Sequence, residues 1–205
     1  MHPDPTFGWR DQQALRAFVG AQRFGMLFAQ TPDGPAVAHI PVVWLDDRRI
    51  GFHLSRGNRL AKHVDGARAL FVVNGPHAYV SPDWYGLADQ VPTWNYVAAE
   101  LEGDVRALPA DALPDLIDAL SLDSETRLAP KPVWTRDKMT PGLFDRMAGA
   151  IIGYEMQVTD WRGTRKLGQN KVPAARSGAA DGMAAAGDGA MAALMRETLT
   201  RADAV

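Results

Sequence analysis

Three short runs in this chain gather side chains that can hold an anion or the edge of a flat heterocycle. The first is HLSRGNRLAKH, residues 53–63. A strand ending at Leu54 and a helix capped by Asn58 would leave Ser55, Arg56 and Gly57 in the turn between them. The first-turn amides of a helix lack intrahelical partners and favour an anion. Arg56 adds a forked guanidinium. Lys62, one turn beyond Asn58, adds a point charge. A phosphate suits this set; a capped surface helix with solvated basic side chains is the alternative. The second run is PTWNY, residues 92–96, where Trp94 and Tyr96 offer ring faces and Thr93 and Asn95 offer edge hydrogen bonds. It closes a longer segment, residues 74–97, that also holds His77, Tyr79, Trp84 and Tyr85. Those rings could equally fill the end of a β-structure. The third run is RKLGQNK, residues 165–171, with Arg165, Lys166, Gln169, Asn170 and Lys171 close together. Such a density of donors suits an anion or a carbonyl-rich ring edge, or a solvated loop.

Stepping out from these runs, the periodicity predicts the elements that must carry them. DQQALRAFVGAQ has helical spacing, with Asp11 as its cap. FGMLFAQ is a short apolar run stopped by TPDGP, and AVAHIPVVWL and RRIGFHL read as strands around a DD turn. GNRLAKHVDG reads as a short helix from Asn58 to Gly66. RALFVVNG, HAYVS and TWNYVAAELEGDVRAL read as further strands, the last bulged near Gly103. Two helices follow, at PADALPDLIDALSL and TPGLFDRMAGAI, and then a final strand at GYEMQVTDWRG. The expected class is mainly β with flanking helices. Hairpin-linked strands of this kind close into a barrel and so remove their exposed edges. The expected division is one domain over residues 1–176 and an Ala/Gly-rich tail over 177–205, partly helical and mobile in its Gly-rich part.

Composition narrows the chemistry. The chain has 205 residues, a formal net charge of −2 and no cysteine, so thiolate chemistry and disulfides are excluded. The charge gives no hint of the basic face that DNA binding requires. No apolar run approaches a membrane span, and no secretory leader is visible, so a cytoplasmic protein is expected. His2, His39, His53, His63 and His77 show no metal-ligand spacing, and neither Ser55 nor Ser81 sits in a nucleophile elbow. There is no G-x-G-x-x-G or Walker loop.

At GPHAYVSPDWY, VPTWNYVA and KLGQNK, with AHIPVV and SRGNRLAKH upstream, the chain resembles the PaiB-type FMN-binding proteins, a bacterial family of negative transcriptional regulators. The resemblance runs from about Met1 to about Asp181. It implies an FMN-binding split β-barrel related to pyridoxamine phosphate oxidase, working as a homodimer with FMN at the subunit interface. It also implies roles for particular residues. Ser55, Arg56, Asn58 and Lys62 match the phosphate side. His39 and His53 match strand positions lining the flavin. Thr93, Trp94 and Asn95 match a second wall. Lys166, Gln169 and Asn170 match a segment near the ring, contributed by either subunit. Three functions follow from different classes: a flavin-binding regulator, a flavin-dependent oxidoreductase of unknown substrate, and a barrel without cofactor. DNA is a possible partner that the charge does not support.

Overall fold

The computed structural model describes residues 2–202. Met1 and residues 203–205, the ends of the expected domain and tail, lie outside the described residues. The chain divides into two compact units, one of residues 12–73 and 100–161, the other of residues 1–11, 74–99 and 162–205.

The first unit is built from α1 (Gln12–Gln22) and the strands β2 (Phe24–Thr31), β3 (Gly34–Pro41), β4 (Val43–Trp44) and β5 (Arg49–Ser55). It also takes the first part of β6 (Arg68–Val80) and the later part of β7 (Thr93–Ala107). Finally it holds α2 (Leu113–Glu125), α3 (Leu143–Ala148) and most of β8 (Ile151–Lys166). The strand order is β3-β2-β6-β7-β8-β5-β4, and the β2–β3, β2–β6, β4–β5 and β5–β8 ladders are antiparallel. β3 and β5 pack against each other without forming a ladder, which closes the sheet and leaves one seam. The mainly β split barrel with flanking helices expected from the resemblance is therefore the fold observed.

Alternation drives this closure. Along β7 each odd residue from Asn95 to Val105 is buried, while its neighbours lie nearer the surface. Leu27, Ile40, Phe52, Leu54, Phe71, Leu101, Tyr154 and Met156 are almost wholly removed from water and fill the first unit. Each such side chain contributes on the order of 1.5–3 kcal/mol. Phe52 stacks on Tyr154 at 5.5 Å, and the Tyr154 hydroxyl donates to the Ala61 carbonyl at 2.8 Å. No bulge interrupts the alternation near Gly103. That glycine serves a close approach instead: a Cβ there would stand 2.0 Å from the Gln157 carbonyl oxygen. The expected strand AVAHIPVVWL splits at Pro41, with Val42 donating its amide to Arg23 rather than to a ladder. RALFVVNG and HAYVS join as β6, whose burial phase slips by one residue at Gly75 and Pro76.

The second unit holds β1 (Gly8–Trp9), which pairs with β8 at Gly8↔Thr164 and Trp9↔Gly163. It also holds a 3-10 turn at Pro82–Tyr85 and the helices α4 (Pro173–Ala185) and α5 (Gly189–Ala202). Ser177, where the sequence suggests a tail begins, lies inside α4. Ala179, Ala180, Met183, Met191, Ala192 and Met195 are buried between these helices and their surroundings. The glycines of this stretch make room. A Cβ on Gly182 would sit 2.5 Å from the Trp84 ring, and one on Gly178 would sit 2.6 Å from the Trp84 carbonyl oxygen. No helix among the described residues is long and apolar enough to cross a membrane.

Candidate functional site

The phosphate-type run lies in the first unit, and its local structure differs from the expected helix. Residues 56–66 form successive turns: Asn58 N donates to Ser55 O, Ala61 N to Asn58 O, and His63 and Val64 both to Leu60 O. Burial of Leu60, Ala61 and Val64 favours these tight turns over a regular helix. No helix dipole is therefore available, and the cradle reduces to side chains and loop amides. The Asn58 side chain accepts from Leu60 N at 2.9 Å, and the Ser55 hydroxyl accepts from Gly57 N at 3.3 Å. Arg56 donates through Nε to Gly149 O at 2.8 Å, and the fork of its two terminal nitrogens has no partner among the described residues. Lys62 is exposed and has no partner among the described residues.

The two expected strand histidines lie on β3 and β5. β3 and β5 do not pair, and His39 stands exposed opposite Met26 on the outer face of the barrel. His53 lies opposite Gly153, on the face of β5 and β8 where Leu113 and Leu116 of α2 close over that glycine. Its Nδ1 is buried without a hydrogen-bond partner among the described residues, and burial holds its pKa below the usual histidine value. The sign of the pH effect follows. Above the ordinary value near 6.5 His53 is neutral in both states. As pH falls below it, the unfolded chain takes up the proton first, so stability declines until folded His53 also protonates. Urea melts from pH 7.5 to 5 should show this decline, and His53→Leu should flatten it. An equally steep profile in the variant would assign the effect elsewhere.

The second unit contains a cavity of about 190 Å³ that does bring together several expected residues: Thr93, Asn95, Lys166 and Asn170. Thr93 and Asn95 reach it because the pleat of β7 turns both to one side. The same pleat sends Trp94 to the other face, where it stands 55% exposed beside Tyr79 and His77. Trp94 is therefore not a wall of this cavity. Gln169 does not line it either. Its amide accepts from Leu167 N at 2.8 Å and donates to Arg165 O at 2.5 Å, which staples the loop after β8. Gly168, at φ +79°, supplies the turn that a side chain would strain.

The polar groups of this cavity are unusually under-committed. Lys166 Nζ donates to the Thr93 hydroxyl at 2.6 Å and lies 5.9 Å from the Phe7 ring centre. Lys171 Nζ donates to the Gln90 side-chain oxygen at 2.6 Å and lies 5.4 Å from the Tyr85 ring. Neither lysine has a carboxylate partner among the described residues, and burial pushes the Lys166 pKa down. Asn95 is 1% exposed; its Nδ2 points at the Met195 sulfur at 3.3 Å, and its Oδ1 has no donor among the described residues. A buried acceptor without a donor costs free energy that a ligand N–H or O–H can restore. The site thus asks for a ligand that both accepts from cations and donates to Asn95. Lys171, one donor of the third run, and Tyr85, one ring of the segment 74–97, also line the cavity, although the resemblance gives neither a role. His2, Asp4 and Phe7, which also line the cavity, carry no local signal that could have found them.

Comparison with known proteins follows the same direction. Residues 1–160 match the family model of an FMN-binding domain. The protease synthase and sporulation protein PAI 2 of Bacillus subtilis (strain 168) is 30% identical over 159 residues, 75% of each chain. The FAD and heme binding protein from Mycobacterium smegmatis superposes with a TM-score of 0.59 at 16% identity, over 78% of this chain and 74% of that one. The flavocytochrome Anf3 from Azotobacter vinelandii gives a TM-score of 0.57 at 16% identity, over 82% and 73%. At such identities the two structures share the fold with this chain and nothing finer.

Proposed function

The chain belongs to the family of FMN-binding domains, and from that membership we propose a cytoplasmic, PaiB-like regulator that acts as an FMN-binding homodimer. FMN is the cofactor. When bound, it supplies reversible one- and two-electron chemistry that the protein tunes.

The observation that carries the reading is an Asn95 Oδ1 without a donor, beside two lysines without counter-carboxylates, among the described residues. The pyrimidine edge of a flavin presents two carbonyl acceptors around one N–H donor. The donor set fits that edge: Asn95 Oδ1 accepts the N–H, and Lys166, Thr93 and Asn170 supply the opposing donors. A cavity of about 190 Å³ is smaller than the ~300 Å³ or more of a complete ligand pocket, so it receives one end of FMN. Gln169 shapes the loop that carries Lys166 and Asn170. In the first unit, Arg56 and Lys62, with Ser55 and Asn58, are the proposed phosphate donors, and His39 and His53 keep their proposed places on the flavin side. The test is the visible spectrum of the purified protein after added FMN is removed. The wild type should retain flavin bands, and Arg56→Ala/Lys62→Ala should lose affinity by about 1.5–3 kcal/mol per contact while staying folded. Equal retention by both proteins would remove the phosphate assignment.

The dimer reading rests on the first unit's outer sheet face. Phe24, Phe28 and Val37 are 56%, 36% and 45% exposed, and they pair in register as Phe24↔Pro41 and Phe28↔Val37 around Met26↔His39. An exposed apolar strip of this kind calls for a partner surface, and a second copy supplies a self-complementary one. Sedimentation should give a dimer, and Phe28→Asp should give a folded monomer. A wild-type monomer at micromolar concentration would end this part of the reading.

A second reading, a flavin-dependent oxidoreductase, is favoured by one feature. Lys166 at the proposed ring edge would stabilise the negative charge that reduction puts there. Salt-dependent binding to promoter DNA, set against turnover with a chemical electron donor, separates the two.

A further inference from the structure

A second cavity, of about 330 Å³, lies in the first unit and has none of the residues given a role above among its lining. Its walls are Gln12, Gln13 and Arg16 of α1, Asp47 and Arg48 of the bend before β5, and Trp161 of β8. We propose that this cavity binds a flat aromatic ring that carries a negative charge.

The ring face comes from a rigid stack. Trp161 lies against Trp44 at 5.3 Å with the planes 14° apart. Trp44 is fixed in turn, donating Nε1 to Arg16 O at 3.2 Å, with the Arg16 guanidinium 5.1 Å from its ring centre. Both indoles remain half-buried rather than sunk in the core. An indole held in place at a cavity wall stacks a planar ligand at little entropic cost.

The charge comes from the arginines. Arg16 is committed: its terminal nitrogens donate to Asp46 O at 3.1 Å and pair with Asp47 at 3.6 Å. Arg48 has no side-chain partner among the described residues, because Asp46 accepts the Arg48 backbone amide while its carboxylate is paired with Arg49. Two arginines against one aspartate leave a net positive wall, and the free fork belongs to Arg48. Gln12 and Gln13 add amides that can read the ring's edge. A carboxylate or a phosphate on the ring satisfies the same fork, so an aromatic acid and a nucleotide are two sources of one chemistry.

The test is calorimetry and tryptophan quenching with four probes: benzoate, adenosine 5′-monophosphate, adenosine and inorganic phosphate. Benzoate or the nucleotide should bind saturably, and whichever binds more tightly identifies the source. Adenosine and phosphate, each lacking one half of the recognition, should bind at least about tenfold more weakly. Arg48→Gln, a change at an exposed side chain, should weaken the charged aromatic probe by about tenfold or more and leave uncharged adenosine unchanged. FMN retention by the same variant should match wild type, so failure of this site and failure of the flavin site are read separately. No saturable binding of either charged aromatic probe up to about 10 mM, a Kd weaker than roughly 3 kcal/mol of binding, overturns the proposal. Binding indifferent to Arg48→Gln overturns it as well.

Discussion

Asn95→Leu should weaken FMN binding by about ten- to a hundredfold, or about 1.5–3 kcal/mol, while leaving the ligand-free protein as stable as wild type or more so. The opposite signs are the point. Leucine and asparagine have similar size and shape, so the substitution opens no cavity at a position 1% exposed. In the free protein it removes a buried acceptor that has no donor among the described residues and an amide that donates to the weak Met195 sulfur acceptor. Removing an unsatisfied buried group relieves a desolvation cost. In the complex it strands the flavin's N–H against an apolar side chain, which costs that group its partner. A structural role for Asn95 predicts the reverse, with stability and affinity falling together. Thermal melts of the flavin-free protein and FMN titration of the same sample decide between them. Lys166→Met is the companion variant: it removes a charge already disfavoured by burial and should reduce affinity without lowering stability.

Much of the fold could be read from the sequence because the longest strands of the barrel alternate over their central stretches. β7 buries every second residue from Asn95 to Val105, and β8 does so from Tyr154 to Val158. What could not be read depends on contacts distant in sequence. Gly103 looked like a bulge because an isolated strand glycine is locally a weak point; the reason for it is the Gln157 carbonyl. Asn58 to Gly66 has the cap and the stop of a helix, but Leu60 and Val64 are drawn into the barrel and tighten the chain into turns. In the candidate site, Thr93, Asn95, Lys166 and Asn170 were legible, since they lie in dense polar runs. Trp94 stands outside this cavity because of the strand period of two, and Gln169 because its amide is spent on its own loop. His2, Asp4 and Phe7 reach the cavity through the path of the N-terminal segment, which no local pattern encodes.

Gly182→Val carries the largest expected cost in stability, and it tests the Gly-rich stretch that composition alone marks as mobile. Two effects oppose each other. Glycine in a helix interior costs roughly 0.5–1 kcal/mol relative to alanine, so any side chain at Gly182 gains some local helix stability. Against this, a Cβ at Gly182 would stand 2.5 Å from Cγ and Cδ2 of Trp84. Those are ring atoms near the base of the indole, with no free rotor to swing aside. Overpacking of this kind costs about 1–3 kcal/mol or more, and valine adds two methyls to the clash, so the steric effect wins. The indole is displaced, and with it the 3-10 turn Pro82–Tyr85 that α4 holds. Tyr85 of that turn lines the candidate flavin cavity, so FMN affinity should fall along with stability. Gly189→Ala is the control from the same stretch. A Cβ there meets nothing within 4 Å, so this change should be neutral or stabilising by up to about 1 kcal/mol. Urea denaturation of both variants reads the difference. Equal, small effects would show that the helices are loosely held and that composition had described the stretch correctly. Opposite signs would show that glycine here is packing rather than flexibility: its missing side chain is the space in which Trp84 sits.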